Sequence, residues 1–259
     1  MKTFKLFATA LMVAMCAMVV TSCSDDDDNP SNGTNEKRLS KMIMRYSDRE
    51  FDIIDLNYAN GKLSKMVWSW GDEETFNNST ISYSGKTVTV TEKGFTQKLN
   101  LNNDGWAESG TLFIEDEPPY SFICEYSNGY LTKVSYPDAE DWQATKIEIK
   151  YDSNGNITNA YEYDSNGVTE FKFTYSNNPA KGKSLFFLRE AFDQDDTLDL
   201  FWSAYYAGLL GKDSPNLVSK IEYDSHSITY NYTLDNDGYV EKIIVDEIDL
   251  KYPVTFTYE

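Results

Sequence analysis

The chain has 259 residues, of which 42 are acidic and 23 are basic, so its net charge is −19. Nucleic acids and anionic lipid headgroups bind basic surfaces, and this charge therefore argues against direct binding to either of them. Tyrosine and phenylalanine are abundant, with 19 and 14 copies, and both side chains are enriched in β-strands. The composition thus favours a mainly β protein that does not bind nucleic acid.

Residues 1–22 have the layout of a secretory signal peptide. Lys2 and Lys5 precede an apolar segment over 6–20, and small residues follow it. A transmembrane helix, the alternative, needs about 20 apolar residues, and this run is shorter and has no basic stop-transfer flank after it. Residues 20–23 resemble a bacterial lipobox. The resemblance implies cleavage before Cys23 and attachment of a diacylglyceryl group to its sulfur, whereas the alternative is a plain secreted protein.

An acidic run follows the cysteine over 25–28, next to a Pro-Ser-Asn-Gly segment. A block of like charge in such surroundings is typical of a solvated tether, so residues 23–38 are predicted to be flexible and to span roughly 20–25 Å. A Cys followed by Ser and several Asp also resembles the signal that directs Bacteroidetes lipoproteins to the outer face of the outer membrane. We therefore expect an outer-membrane protein that is anchored by the lipids of Cys23 and faces the cell exterior.

Between residues 39 and 259, apolar and polar side chains alternate. The alternation is strict over 147–151, 171–175 and 254–258, and a period of two predicts strands with one buried face and one solvated face. We count about 15 such strands. Residues 39–259 are predicted to form a single domain. Because an open twisted sheet of more than about 10 strands usually curls or splits, its predicted fold is a large curved antiparallel meander sheet or a partial barrel.

A recurring turn separates the strands. Asn-Gly or Asp-Gly follows a Tyr or a Leu in six segments, and both dipeptides are strong hairpin signals because Asn, Asp and Gly tolerate left-handed backbone. The segments are 58–61, 126–129, 151–155, 163–167, 101–105 and 234–238. The last two also resemble calcium loops superficially. They lack the glutamate that an EF-hand requires, so we predict turns there.

One segment has helical instead of strand periodicity. Its apolar residues are spaced for an amphipathic helix over about 197–210 that plugs or covers the concave side of the sheet, with Gly211 just past its end. These apolar residues are Leu198, Phe201, Trp202, Tyr205 and Leu209.

The Tyr-Asp-Ser-Asn-Gly hairpins, this helix and the segments 205–211 and 214–217 resemble a Bacteroidetes lipoprotein family, domain of unknown function 4595. The resemblance implies a porin-like fold over most of residues 39–259, without an established activity or catalytic residues. A membrane-spanning barrel needs apolar lipid-facing positions. The positions that we expect to point outward are charged instead, so we expect a soluble sheet and no pore. They include Glu148, Lys150, Glu162, Lys172 and Glu222.

No catalytic, cofactor or metal motif is evident. Cys124 alternates with apolar residues and is predicted to be a small buried side chain, although a pair with His226 stays open as an alternative. The single histidine and the three cysteines do not have metal-ligand spacing. Acidic pairs such as Glu73-Glu74 are plentiful, but neighbours in sequence do not reveal the fixed carboxylate separation that a glycosidase needs.

Three tryptophans are candidate ligand contacts. Trp68 and Trp70 project from the same strand face, either as an exposed platform for a sugar ring or as part of the aromatic core. Trp142 lies in a polar loop and is a candidate for exposure.

The sequence favours a non-enzymatic binding or adhesion module for a glycan or a surface protein. The alternatives are a carrier of a lipid or apolar ligand inside the half-barrel, and a glycoside hydrolase or lyase. Exposed tryptophans would support sugar binding, an empty apolar cavity beneath the helix would support a carrier, and two convergent buried carboxylates would support an enzyme.

Overall fold

Sixteen antiparallel strands form a closed barrel in the computed structural model. The structure describes residues 36–71, 77–116, 118–138, 145–188, 198–248 and 250–259, with backbone only for residue 77 and residues 198–200. The strands are β1 Leu39–Arg45, β2 Phe51–Ala59, β3 Lys62–Trp70, β4 Asn77–Ser84, β5 Thr87–Glu92, β6 Phe95–Leu101, β7 Ala107–Ile114, β8 Tyr120–Ser127, β9 Tyr130–Ser135, β10 Lys146–Tyr151, β11 Ile157–Asp164, β12 Gly167–Pro179, β13 Asn216–Tyr223, β14 His226–Leu234, β15 Val240–Glu247 and β16 Leu250–Tyr258. The described residues contain one helix, α1 Leu198–Tyr206.

Each strand pairs with the next one in sequence, and β1 closes the barrel on β16. Met42 lies opposite Phe256 and Met44 lies opposite Val254 in this closing pair. The mainly β antiparallel meander is therefore confirmed. The predicted partial barrel closes completely, because the first and last strands meet.

The alternation of apolar and polar residues in the sequence corresponds to an alternation of buried and outward-pointing side chains along the strands. Ile147 and Ile149 of β10 are buried, whereas Lys146 and Lys150 point outward. The outer face carries ion pairs such as Lys41–Asp55 and Lys133–Glu125. One expected outward position is wrong. Glu162 of β11 is buried and lies on the same inner strand face as Ala160.

The barrel has two different ends. The plug end carries Lys37, Glu259 and the turns at 60–61, 85–86, 102–106, 128–129, 152–156 and 235–239; the rim end carries the turns at 46–50, 93–94, 165–166 and 224–225. Side-chain oxygens fix the larger turns of the plug end. Asn102 accepts hydrogen bonds from the backbone N–H groups of Asp104 and Trp106, and Asp235 does the same for Asp237 and Tyr239. The two segments that resemble calcium loops are thus Asx-type turns.

At the plug end, strands that are joined at the rim end move apart, and tyrosine hydroxyl groups bridge the gaps. β-Bulges accompany this divergence, for example at Glu125/Tyr126 and Lys150/Tyr151, and bulges bend and twist strands. This explains why Tyr often precedes the turns. The hydroxyl groups donate to backbone carbonyls in the pairs Tyr58–Leu39 (2.9 Å), Tyr83–Leu63 (3.0 Å), Tyr126–Ala107 (2.8 Å), Tyr151–Leu131 (2.7 Å) and Tyr232–Val218.

These bridges predict a loss of stability at alkaline pH. Burial raises the pKa of Tyr58 and Tyr83 to about 12, from about 10 in an unfolded chain. Their contribution to stability is complete below about pH 10 and is lost between about pH 10 and 12, where only the unfolded state ionises. Tyr83→Phe is expected to lower the unfolding free energy by about 1 kcal/mol at pH 8. Urea denaturation should show that this difference shrinks by pH 12, and a constant difference would contradict the assignment.

A segment between β12 and β13 fills the barrel. This plug comprises residues 180–188 and 198–212. Phe201 packs on Phe122 of β8, with ring centroids 5.2 Å apart, and the hydroxyl of Tyr206 approaches the sulfur of Met42 on β1 at 3.8 Å. Because these partners belong to opposite walls, α1 lies inside the barrel rather than only covering it.

The helix ends earlier than predicted. α1 stops at Tyr206, and Gly208 adopts a positive φ of 75° just after it, as is common at helix C-termini. Among the described residues no helix is both long enough and apolar enough to cross a membrane.

Candidate functional site

The two predicted tryptophans of β3 lie at the rim end in different environments. Trp68 is half-buried, packs on Trp202 of the plug at a centroid distance of 5.6 Å and donates its indole N–H to Asp52 (3.0 Å). Trp70 is 44% exposed. Trp142 and Cys23 lie outside the described residues. Of the predicted ligand contacts, only Trp70 is thus seen to offer an open surface.

A buried carboxylate organises this region. Asp52 is 4% exposed and also accepts a hydrogen bond from the hydroxyl of Tyr46 (2.9 Å). The ring of Tyr46 is stacked with Trp70 at 6.1 Å and lies 4.8 Å from Tyr252. We call Tyr46, Trp70 and Tyr252 the aromatic rim. Asp52 fixes the orientation of its central ring.

A larger concave site lies at the plug end, where β7 and β8 diverge. The β7–β8 ladder stops at Ser109 and Ile123. Beyond that point the N–H of Ala107 donates to the carbonyl of Leu209 in the plug (2.8 Å). The result is an open cleft of about 550 Å³, the β7–β8 notch. Its lining residues are Asn102, Asp104, Trp106, Glu108, Cys124, Tyr126, Asn128, Gly129 and Lys212.

Aromatic rings form one wall of the notch. Trp106 and Tyr126 have centroids 5.3 Å apart at an interplanar angle of 36°. The hydroxyl of Tyr126 donates to Ala107 and approaches the carbonyl of Leu209 at 3.4 Å. The backbone of Trp106 is fixed by Asn102. The wall is therefore held in place by hydrogen bonds within the protein.

A glycine shapes the notch beside this wall. Gly129 has a φ of 88°, and a Cβ there would lie 2.8 Å from Cε of Lys212 and 3.0 Å from Cη2 of Trp106. The Lys212 N–H donates to the Gly129 carbonyl (2.8 Å), and its ammonium group donates to the carbonyl of Asn128 (3.0 Å). Gly129 thus lets the lysine stem and the indole approach each other closely.

Comparison with known proteins assigns the family. The family model for DUF4595, a domain of unknown function with a porin-like fold, matches residues 60–242. The chain belongs to this family. The resemblance inferred from the hairpins and the helix is confirmed.

Two solved structures have the same fold as this DUF4595 protein. A porin-like protein from Bacteroides uniformis ATCC 8492 has a TM-score of 0.68 at 20% identity, covering 85% of this chain and 96% of that one. A porin-like protein from Bacteroides vulgatus ATCC 8482 has a TM-score of 0.56 at 14% identity, with coverage of 86% and 99%. No curated protein matches the chain.

The thiol that lines the DUF4595 notch is not placed as a nucleophile. Cys124 is buried at its base, and burial raises the pKa of the thiol to about 12, so the thiol stays protonated and is a poor nucleophile at neutral pH. His226 lies on β14, where its ring is stacked on Tyr223, so the open Cys124–His226 pair does not form. The described residues contain no group of three side chains that could hold a metal ion.

The apolar cavity under the plug is small. Its volume is about 70 Å³, and its lining includes Leu131, Tyr175, Leu185 and Leu217. Ligand pockets usually measure about 300–1,000 Å³, so this space suits a few waters rather than a lipid chain.

Trp106 and Tyr126 are not among the ligand contacts predicted from the sequence. A signal was present, since Trp106 directly follows the Asn102–Gly105 turn, at the position where the equivalent turns have Asn156 and Tyr239. The divergence of β7 from β8 carries no such local signal.

Proposed function

We propose that this DUF4595 protein is a non-enzymatic binding module that takes a glycan into the β7–β8 notch. In this proposal Cys23 carries lipids that anchor the protein in the outer membrane, facing the cell exterior. The proposed address rests on residues 1–28, in which a signal-peptide layout, a lipobox-like segment and an acidic run follow one another.

The aromatic wall of Trp106 and Tyr126 supports glycan binding most directly. A sugar ring has an apolar C–H face that packs on an aromatic ring, and hydroxyl groups around its edge that need hydrogen-bond partners. The notch offers both kinds of contact, because carboxylate and amide side chains of Asp104, Glu108 and Asn128 surround the rings. Its volume of about 550 Å³ is in the range of small-molecule sites.

Charge narrows the class of glycan. The net charge of −19 and the two carboxylates of the notch, which outnumber the Lys212 ammonium group in its lining, disfavour sulfated or uronic-acid glycans, since like charges repel across an interface. We therefore expect neutral sugars. The carrier alternative has less support, because α1 occupies the interior and the apolar cavity beside the described part of the plug measures about 70 Å³.

Trp106→Ala is expected to weaken glycan binding about 10- to 100-fold, since a central aromatic contact contributes about 1.4–2.8 kcal/mol. A glycan array followed by titration calorimetry of the selected neutral sugar measures this. Phe113→Ala is the matched control, because Phe113 is 39% exposed on the outer face and should have no effect. Loss of binding in Trp70→Ala with full binding in Trp106→Ala would place the site at the aromatic rim and contradict the proposal.

A further inference from the structure

The carboxylate of Asp52 is buried. Among the described residues its hydrogen-bond partners are the Trp68 indole and the Tyr46 hydroxyl, both neutral, and no ion pair includes it. A buried carboxylate is costly unless charges or hydrogen bonds compensate it, and it can accept about four hydrogen bonds. Asp52 therefore leaves a local negative potential at the rim end that a cationic ligand would neutralise.

An exposed aromatic face lies next to this charge. Trp70 is directly opposite Asp52 in the β2–β3 ladder, so both side chains project from the same face of the sheet, and directly opposed Cβ atoms lie about 4.5–5.5 Å apart. Tyr46, which contacts both Asp52 and Trp70, and Tyr252 add two more rings. Three aromatic rings thus cluster near the buried carboxylate, and the Trp70 side chain among them is open to solvent.

The exposed groups around the aromatic rim are of two kinds: residues 47–50 of the β1–β2 turn are polar, with Asp48 and Glu50 flanking Arg49, and two side chains near β16 are apolar. Ile248 and Leu250 are 55% and 40% exposed, and Leu250 is on the same strand face as Tyr252, two residues away. Such groups pack against methyl groups but accept no hydrogen bonds, so they disfavour a bare ammonium ion or a hydrated metal ion. The net charge of −19 attracts cations towards the surface over longer distances.

From these contacts we infer that the aromatic rim is a second binding site, for a methylated ammonium group. Cations bind the faces of Trp and Tyr, and aromatic cages are a known device for quaternary ammonium ligands. This site is independent of the β7–β8 notch, because it lies at the opposite end of the barrel. Its ligand is either a small soluble amine or the headgroup of a lipid.

Choline tests the inference when it is compared with its uncharged isostere, in which a tert-butyl group replaces the trimethylammonium group. Calorimetry with the full chain should show choline binding that weakens with added salt, and at least tenfold weaker binding of the isostere. Trp70→Leu keeps an apolar side chain but removes the ring, and it should reduce choline affinity at least tenfold. Asp52→Asn should reduce it by a similar factor. The control Phe113→Ala should have no effect, since that ring already lies near Lys98.

Equal binding of the two ligands would show an apolar patch alone and would overturn the inference, as would no binding of choline. If Asp52→Asn does not fold, Trp70→Leu still tests the inference. Trp70 is exposed, so its replacement should leave the fold intact. Phosphatidylcholine vesicles distinguish the two sources. Co-sedimentation supports a lipid headgroup, and binding of choline alone supports a soluble amine. Failure at this rim would leave glycan binding in the notch unaffected, so the two proposals are tested separately.

Discussion

Replacing Gly211 by alanine is expected to lower the unfolding free energy by about 2–5 kcal/mol. Gly211 has a φ of 80°, and a Cβ there would lie 2.5 Å from the carbonyl oxygen of Gly129 and 3.1 Å from Cε1 of Tyr126. The left-handed backbone costs a non-glycine residue about 1–2 kcal/mol, and forced overpacking adds about 1–3 kcal/mol. Because Gly211 also forms a β-bridge to Tyr130, the change would detach the plug from the barrel wall.

Gly208→Ala is the matched control for this prediction. Gly208 lies three residues away in the same plug with a φ of 75°, but a Cβ there would meet nothing within 4 Å. Gly208→Ala should lower the unfolding free energy only by the cost of the left-handed backbone, about 1–2 kcal/mol. Urea denaturation measures both variants. Equal losses of unfolding free energy in Gly211→Ala and Gly208→Ala would contradict the close approach between the plug and the notch.

Cys23→Ser is expected to abolish lipid attachment and to release the protein from the membrane fraction. The thiol is the only side chain in the lipobox-like segment that can carry the diacylglyceryl group, and stable anchoring needs more than one acyl chain. Mass spectrometry of the N-terminal peptide and fractionation of cells measure the two effects.

Cys124→Ser provides the control for the anchor. Cys124 is buried within β8, so its replacement should leave the lipid and the membrane fraction unchanged. An exported wild-type protein without lipid on Cys23 would contradict the proposed anchor. So would a Cys23→Ser variant that stays in the membrane fraction.

The strands could be predicted from the sequence because their signals are local. Alternation over 147–151 and the Asn-Gly turns fix which residues face inward and where the chain reverses. Closure of the barrel could not be predicted in this way, since it depends on pairing between β1 and β16, at opposite ends of the domain. The predicted end of α1 is wrong because two nearby glycines, Gly208 and Gly211, are both candidates for the residue that follows the helix. Gly208 ends the helix, whereas Gly211 serves the contact with Gly129.

The candidate sites could be predicted only in part. The common strand face of Trp68 and Trp70 follows from their spacing, but their different exposure depends on Trp202, which the plug brings against Trp68 alone. Prediction of the notch would have required knowing that Trp106 and Tyr126 meet where two strands diverge. Glu162 shows the same limit, since a charged residue in an alternating strand was expected to face solvent and instead faces the interior.

Fluorine NMR of protein labelled with fluorotryptophan tests glycan binding in the notch most directly. The chain has five tryptophans, and each resonance can be assigned by a Trp→Phe variant. Addition of the neutral glycan that the array selects should shift the Trp106 resonance and leave the buried Trp202 resonance in place. A bound glycan that leaves Trp106 unmoved, or that shifts Trp202 instead, would contradict the account.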